Sequence, residues 1–419
     1  MDKRYHILSD LPRATKRKLA LVALLYFAEG LPFGFIYVSL PVYLRTNGLD
    51  LVKIGLLSLA GLAWSLKPLW APLVDRYGYK YHWMAVALIG LATTVLAVSL
   101  VPPGGGAYLG LIFFMAFCSA TLDIAVDGYT IELLEEHELG PGNGVRVSAY
   151  RVALIGSGGG LVALSQFSGF KPAFLALAVI FVALLAAILI LPDTKYPSPK
   201  KEISFLSQYL TPLRDLLTRP YIWAVIPFVL LFKVGDAMMG SMIYPFWVDR
   251  GFSRAEIGLI SGTLGTVASI VGSLVGGWLT GLLGLGRALW TLGAAQALSN
   301  LGYAYAALPE SPRLSVYGAS LLESFTGGLG TAAFLAFLMR LCRREMSASQ
   351  YALLATLFSF SRSISGALGG FGASRFGYAA FFFYTFLAAL PAFALIPWVL
   401  KALDYEKNPS SQAATSSSE

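Results

Sequence analysis

Twelve apolar runs recur from one end of the chain to the other, each about the 20 residues that a helix needs to cross ~30 Å of hydrocarbon. They cover residues 19–44, 54–74, 81–101, 107–133, 147–168, 171–193, 220–248, 257–279, 288–308, 314–339, 349–370 and 377–400. Inside a bilayer every backbone polar group must find its partner within the chain, so runs of this length are helices. Only 13% of the residues are charged and 56% are hydrophobic, against roughly 25% charged in a soluble domain. The sequence is that of an all-α, multi-pass membrane protein.

The net charge of +8 raises the question of a nucleic-acid partner, and the placement of the positive residues answers it. Both ends and the even-numbered loops hold 20 of the 31 Lys and Arg, the odd-numbered loops hold 7, and 4 lie inside spans. This bias puts both termini in the cytoplasm and turns the basic character into orientation and contact with the lipid bilayer, with no nucleic acid involved. Cys118 and Cys342 stand singly, without the spacing of a disulfide framework or a zinc site, and are packing residues. The first span is too long for a cleaved signal and reads as a retained helix.

The longest polar interruption, 194–219, separates six spans from six. The expected parts are a cytoplasmic segment 1–18, a bundle 19–193, a cytoplasmic linker 194–219, a second bundle 220–401 and a disordered tail 402–419. The halves echo each other: "GLDLVKIGLLS" at 48–58 and "GFSRAEIGLIS" at 251–261 share five of eleven residues, and Arg151, Gly158 and Gly159 align with Arg362, Gly369 and Gly370. Two six-helix pseudo-repeats of the same orientation are the arrangement of the major facilitator superfamily. "APLVDRYGYK" after the second span resembles that superfamily's loop motif G-x-x-x-D-R-x-G-[RK], with Asp75, Arg76, Gly78 and Lys80 in place. The corresponding loop after the eighth span has Gly281 where Asp would stand.

Ionisable residues inside the spans carry the functional signal. Asp123 and Asp127, four residues apart, share one face of the fourth span. An Asp near the bilayer centre costs roughly 2.5–3.5 kcal/mol even on an insertion scale. The others that lie well inside their spans are Glu29 in span 1, Lys67 in span 2, Arg151 in span 5, Lys233 and Asp236 in span 7, Glu323 in span 10 and Arg362 in span 11, while spans 3, 6, 9 and 12 have none at such depth. In a major facilitator the helices that carry them line or flank the cavity. Glu29, Lys233, Glu323 and Arg362 fall near mid-span and are the first choice for a central binding site, with a Glu29–Lys233 contact as one expectation. For the fourth span two readings stand. Asp127 pairs with Arg151 and, with Asp75 and Arg76, forms a gate; or Asp123, opposed by Lys67 or a substrate cation, binds and releases a proton, with Asp127, Glu323 and Asp236 as competitors. Burial disfavours a charged carboxyl and a nearby cation favours it, so proton occupancy can follow the opening of the cavity.

Tyr26, Trp64, Tyr244 and Trp247 are candidates to stack on sugar rings. "GSGGG" at 156–160 lacks the strand-turn-helix setting of a dinucleotide loop. His6, His82 and His137 sit at segment edges without metal-ligand spacing, no phosphate-binding loop is present to power a pump, and no nucleophile has a nearby base. No metal and no cofactor are expected, and the chain is not read as an enzyme.

At the level of individual stretches the chain resembles the AmpG-type muropeptide permeases, a branch grouped with acetyl-CoA transporters. The resemblance lies in "EGLPFG", "IGLLSLAGLAWSLKPLWAPLVDRYG", "FCSATLDIAVDGYTIELL", "AYRVALIGSGGG", "LFKVGDAMMGS", "LESFTGGLGTAAFLAFLMRLC" and "SASQYALLATLFSFSR", from residue 29 to 362. It implies proton-coupled import of anhydromuramyl peptides released by cell-wall turnover, in the bacterial inner membrane; a monomer is the expected state. It marks Asp123, Asp127, Tyr150, Arg151, Lys233, Asp236, Glu323, Gly327, Gly328 and Arg362 as site positions. Lys233 and Arg362 would hold peptide carboxylates, Glu29 or Glu323 an amine. Some members carry two further helices where this chain ends in a polar tail, and acyl-CoA, a siderophore or another sugar derivative suits the same cations. A receptor that binds without transporting is the reading from a different class.

Overall fold

The computed structural model describes residues 12–77, 79–135, 138–190, 205–343 and 346–407. Twelve helices of membrane-crossing length run through them. They are α1 (Arg13–Thr46), α2 (Leu51–Leu69), α3 (Lys80–Leu100), α4 (Gly106–Leu133), α5 (Leu139–Ser168), α6 (Phe170–Ile190), α7 (Ile222–Asp249), α8 (Arg254–Leu283), α9 (Leu285–Ala306), α10 (Arg313–Leu341), α11 (Ser347–Phe376) and α12 (Tyr378–Lys407). Ten combine that length with strong apolarity; α9 and α11 are as long but richer in polar residues. A linker helix, Phe205–Leu217, precedes α7. The expected tail from 408 onward, the part of the linker before Phe205, Gly78, His6 and His137 lie outside the described residues.

Several helices depart from regular α geometry. A wider π-type turn interrupts α1 at Phe35–Ser39, α5 at Gly156–Gly160 and α8 at Ile257–Leu264. In α2 the chain tightens to 3₁₀ at Leu57–Gly61 and again at Lys67–Leu69, where Pro68 removes a donor. The largest departure is in α7, which breaks into Ile222–Leu231 and Val234–Asp249 with Lys233 outside helical geometry at φ −112° and ψ 9°. Asp236 falls in the first turn of the second piece, where the positive end of the helix favours a carboxylate.

The chain forms two compact units. The first takes in α1, α3 to α6, the end of α2 from Leu66 and the Phe252–Thr263 stretch that opens α8. Here α1 lies along α5, and α3 packs between α4 and α6. Its interior is apolar and aromatic: Phe35 meets Phe174 edge-on at 4.9 Å, and Tyr43 meets Phe170 and Phe174 at 5.1 Å.

The second unit holds α7, α9 to α12, α8 from Leu264 and the Gly48–Ser65 stretch that opens α2. In it α10 packs on α8 and α9, α7 on α11 and α12, and α9 on α12. Phe228, Phe232, Phe334 and Phe337 form the aromatic centre of its core, with Phe232 stacked on Phe334 at 5.3 Å. The opening of α2 joins this unit because it crosses α11 at a glycine pair: a Cβ on Gly55 would stand 2.8 Å from the Gly370 Cα, closer than side chains tolerate. The linker helix is tied on by Asp215, which accepts from Arg219 Nε at 3.1 Å and Gln350 Nε2 at 2.8 Å and pairs with Arg343.

Candidate functional site

In the first unit the intramembrane charges meet on the facing sides of α1, α2 and α4. Lys67, at the tightened end of α2, forms an ion pair with Asp123 of α4. Glu29 of α1 is buried next to this pair and has one carboxyl oxygen without a hydrogen-bond partner. One turn before it on the same face, Tyr26 donates a hydrogen bond to Asp127 Oδ1 at 2.5 Å. Arg146 of α5 reaches the same oxygen at 3.4 Å, with its guanidinium 4.7 Å from the centre of the Tyr26 ring. The expected Asp127–Arg151 pair is therefore not formed. Arg146 takes that place, because α5 starts at Leu139 and carries Arg146 into the helix instead of leaving it in a loop. Arg151 lies half-buried farther along α5.

In the second unit the centre is Lys233, at the break of α7. Its ammonium donates to Gln296 Oε1 at 2.5 Å, Asp236 Oδ2 at 3.1 Å and the Gly327 carbonyl at 3.2 Å. Gln296 of α9 in turn donates to Asp236. Glu323 of α10 lies in the fields of Asp236 and Lys233 and accepts from Ser324 Oγ at 3.3 Å. Arg362 of α11 is exposed, and its charge acts on Lys233. Trp64 and Tyr244 are half-buried, and both belong to this unit. Trp247, expected as a stacking candidate, is fully buried against Tyr317 at 5.6 Å and is a core residue. Glu29 and Lys233 each have partners inside their own unit.

Other ion pairs close helix ends. Lys80, the basic residue of the loop motif, is buried and paired with Glu132 at the end of α4. Arg76 is exposed, with its guanidinium 5.7 Å from the Tyr77 ring, and the side chain of Asp75 lies outside the described residues. At the start of α5, Glu138 accepts from Lys18 at 2.8 Å and Thr15 at 2.7 Å. Burial pushes the Glu138 carboxyl up, but hydrogen bonds from Lys18, the Glu135 N–H and Thr15, with the Lys18 charge, hold it below the usual carboxylate range. Asp215 behaves alike: burial is outweighed by the hydrogen bonds and charge of Arg219, the charge of Arg343 and the Gln350 amide, and its carboxyl is lowered.

Two members of these networks escape a search for charges inside spans. Arg146 falls before the apolar run that marks span 5, and Gln296 is uncharged on a helix that shows no ionisable residue within its apolar run. The available signals were Asp127, which needs a cation, and an amide in the middle of an apolar stretch.

The Major Facilitator Superfamily profile matches residues 22–366. The chain is 32% identical to the anhydromuropeptide permease of Escherichia coli strain K12, over 97% of this chain and 84% of that one. It is 27% identical to the putative transporter AmpG 4 of Rickettsia conorii, over 91% of this chain and 96% of the relative. Among solved structures, the nucleoside transporter NupG matches with a TM-score of 0.72, covering 93% of this chain and 99% of its own at 15% identity, a likeness of fold alone. These relatives are permeases and transporters, not enzymes.

Proposed function

The chain belongs to the Major Facilitator Superfamily, in the branch of the AmpG-type permeases, and from that membership we propose that it imports anhydromuramyl peptides by proton-coupled alternating access. One observation carries the reading: each unit holds a buried cation–carboxylate network at membrane depth, Lys67 with Asp123 and Glu29 in the first, Lys233 with Asp236 and Gln296 in the second. Buried ionisable groups in membrane helices are costly and mark substrate or proton paths.

The division of labour follows from the chemistry. Lys233 and Arg362 hold cargo carboxylates, Glu29, Asp236 and Glu323 hold its amine, and Trp64 and Tyr244 meet the sugar, whereas Tyr26, expected there as well, is fully buried and bonded to Asp127. Asp123, Asp127 and Glu323 carry the proton. Glu29, buried beside the Lys67–Asp123 pair, is the acid placed to exchange that proton with Asp123. Lys67, Asp75, Arg76 and Arg151, with Arg146 added, serve the gate. The protein works as a monomer in the cytoplasmic membrane with both termini on the cytoplasmic side, as the distribution of Lys and Arg favours.

Uptake of labelled anhydromuramyl peptide into proteoliposomes tests this. Accumulation that competing acyl-CoA or siderophore does not block supports the cargo, and Lys233→Ala is expected to abolish it in a folded protein. Binding without accumulation would make the protein a receptor and refute the proposal.

A further inference from the structure

The ammonium of Lys233 has three N–H donors, and all three are already used, on Asp236, Gln296 and the Gly327 carbonyl. A cargo anion that binds Lys233 must therefore displace one of them. Gly327 offers a backbone oxygen fixed in α10, and Asp236 carries a full charge. Of the two neutral acceptors only Gln296 Oε1 sits on a side chain that can turn away, so it is the one a cargo anion can displace.

The orientation of that amide is settled by its two neighbours. Lys233 can only donate, so it faces Oε1; ionised Asp236 can only accept, so it faces Nε2. Gln296 is buried, and its room is provided by Gly330 on α10, three residues along the same face from Gly327. A Cβ at position 330 would run into the Gln296 carboxamide, with the amide carbon 2.9 Å away. The charged groups around it are Lys233 and Asp236 of α7, Glu323 of α10 and Arg362 of α11. Between Gly265 and Leu283 of α8, and between Thr385 and Leu400 of α12, the sequence has no ionisable residue.

We infer that Gln296 is a positioning residue for cargo: it occupies Lys233 until an anionic group of the cargo replaces its Oε1, and through Nε2 it stays bonded to Asp236, so that the displaced amide remains beside the ammonium and Asp236 stays in place. The inference rests on the transport reading above. Glutamate at this position would have the same shape but no N–H for Asp236, and it would set a second anion on Lys233.

The test is concentration-dependent uptake of labelled anhydromuramyl peptide by proteoliposomes containing the parent protein, Gln296→Glu and Gly330→Ala, with thermal unfolding of each. The expected result for Gln296→Glu is a KM at least tenfold higher with kcat lowered less than threefold and a Tm near the parent's. Gly330→Ala, which shifts the amide without altering its chemistry, is expected to raise KM in the same direction. A KM within twofold of the parent in both variants overturns the inference while leaving the transport reading intact. So does a fall in kcat and Tm without a rise in KM, the pattern of a purely structural residue. No accumulation by the parent protein overturns the transport reading, and this inference with it.

Discussion

Replacing Lys67 with Met removes the cation from a cluster in which Asp123 is 8% and Glu29 7% exposed. Leaving a buried ion without its partner costs about 3–5 kcal/mol, whereas replacing both partners by uncharged groups is near neutral. The Lys67 side chain keeps 29% of its surface exposed, so its own desolvation is partial and the lower end applies. The second acid, Glu29, stays next to Asp123 and adds to the cost. We expect Lys67→Met to lose about 3 kcal/mol, or roughly a hundredfold in the folded-to-unfolded ratio at 1.36 kcal/mol per tenfold. Asp123→Asn alone strands the ammonium and loses a similar amount. The double variant should return to within ~1 kcal/mol of the parent, a coupling of about 5 kcal/mol. Denaturant unfolding of the four proteins in one detergent gives the cycle. The double variant is also expected to fold yet fail in uptake, because the carboxylate is gone. A loss below 1 kcal/mol for Lys67→Met, or additive losses in the double variant, would refute the reasoning.

Asp215→Asn unties the linker helix from Arg219, Arg343 and Gln350 and is expected to lower the Tm at pH 7. Because the folded Asp215 carboxyl is lowered, its stabilisation is complete above the unfolded value near 3.9 and is lost as pH falls through the lower folded value. The gap in Tm between parent and variant should therefore close below about pH 4. Tyr26→Phe removes the hydrogen bond to Asp127 but leaves Arg146 in place; it should cost about 1.5–3 kcal/mol in unfolding measurements, the range for a bond to a charged group. Gly55→Leu puts a side chain where α2 crosses α11 and is expected to raise protease cutting of the loop that leads into α2, with no change if that crossing is loose.

Much of the fold was legible because hydrocarbon imposes a length and an apolar composition on every span, and the twelve runs map onto α1 to α12. Charges inside spans were equally legible, since each carries a desolvation cost that must be offset; that logic named Lys67 as a partner for Asp123 and singled out Lys233 and Asp236, but expected Lys233 to meet Glu29 and did not foresee its pairing with Asp236. What stayed hidden carries little or no such cost. Gln296 is neutral, so hydropathy passes over it although it bridges both charges of the second unit. Arg146 belongs to a helix whose first turns are polar, and an apolar window begins only after it. The break at Lys233 has no proline or glycine at 232 or 233 to announce it: Pro227 lies upstream, and Gly235 packs against the Thr385 carbonyl of α12, a tertiary contact that no local pattern records.

Proton movement driven by cargo is the most direct check on the central claim that these buried acids exchange protons during import. With a pH-sensitive dye trapped in proteoliposomes and no imposed gradient, adding anhydromuramyl peptide outside should acidify the interior in the parent protein, and Asp123→Asn should remove the signal. Cargo accumulating at the parent's full rate with no change in internal pH would contradict it.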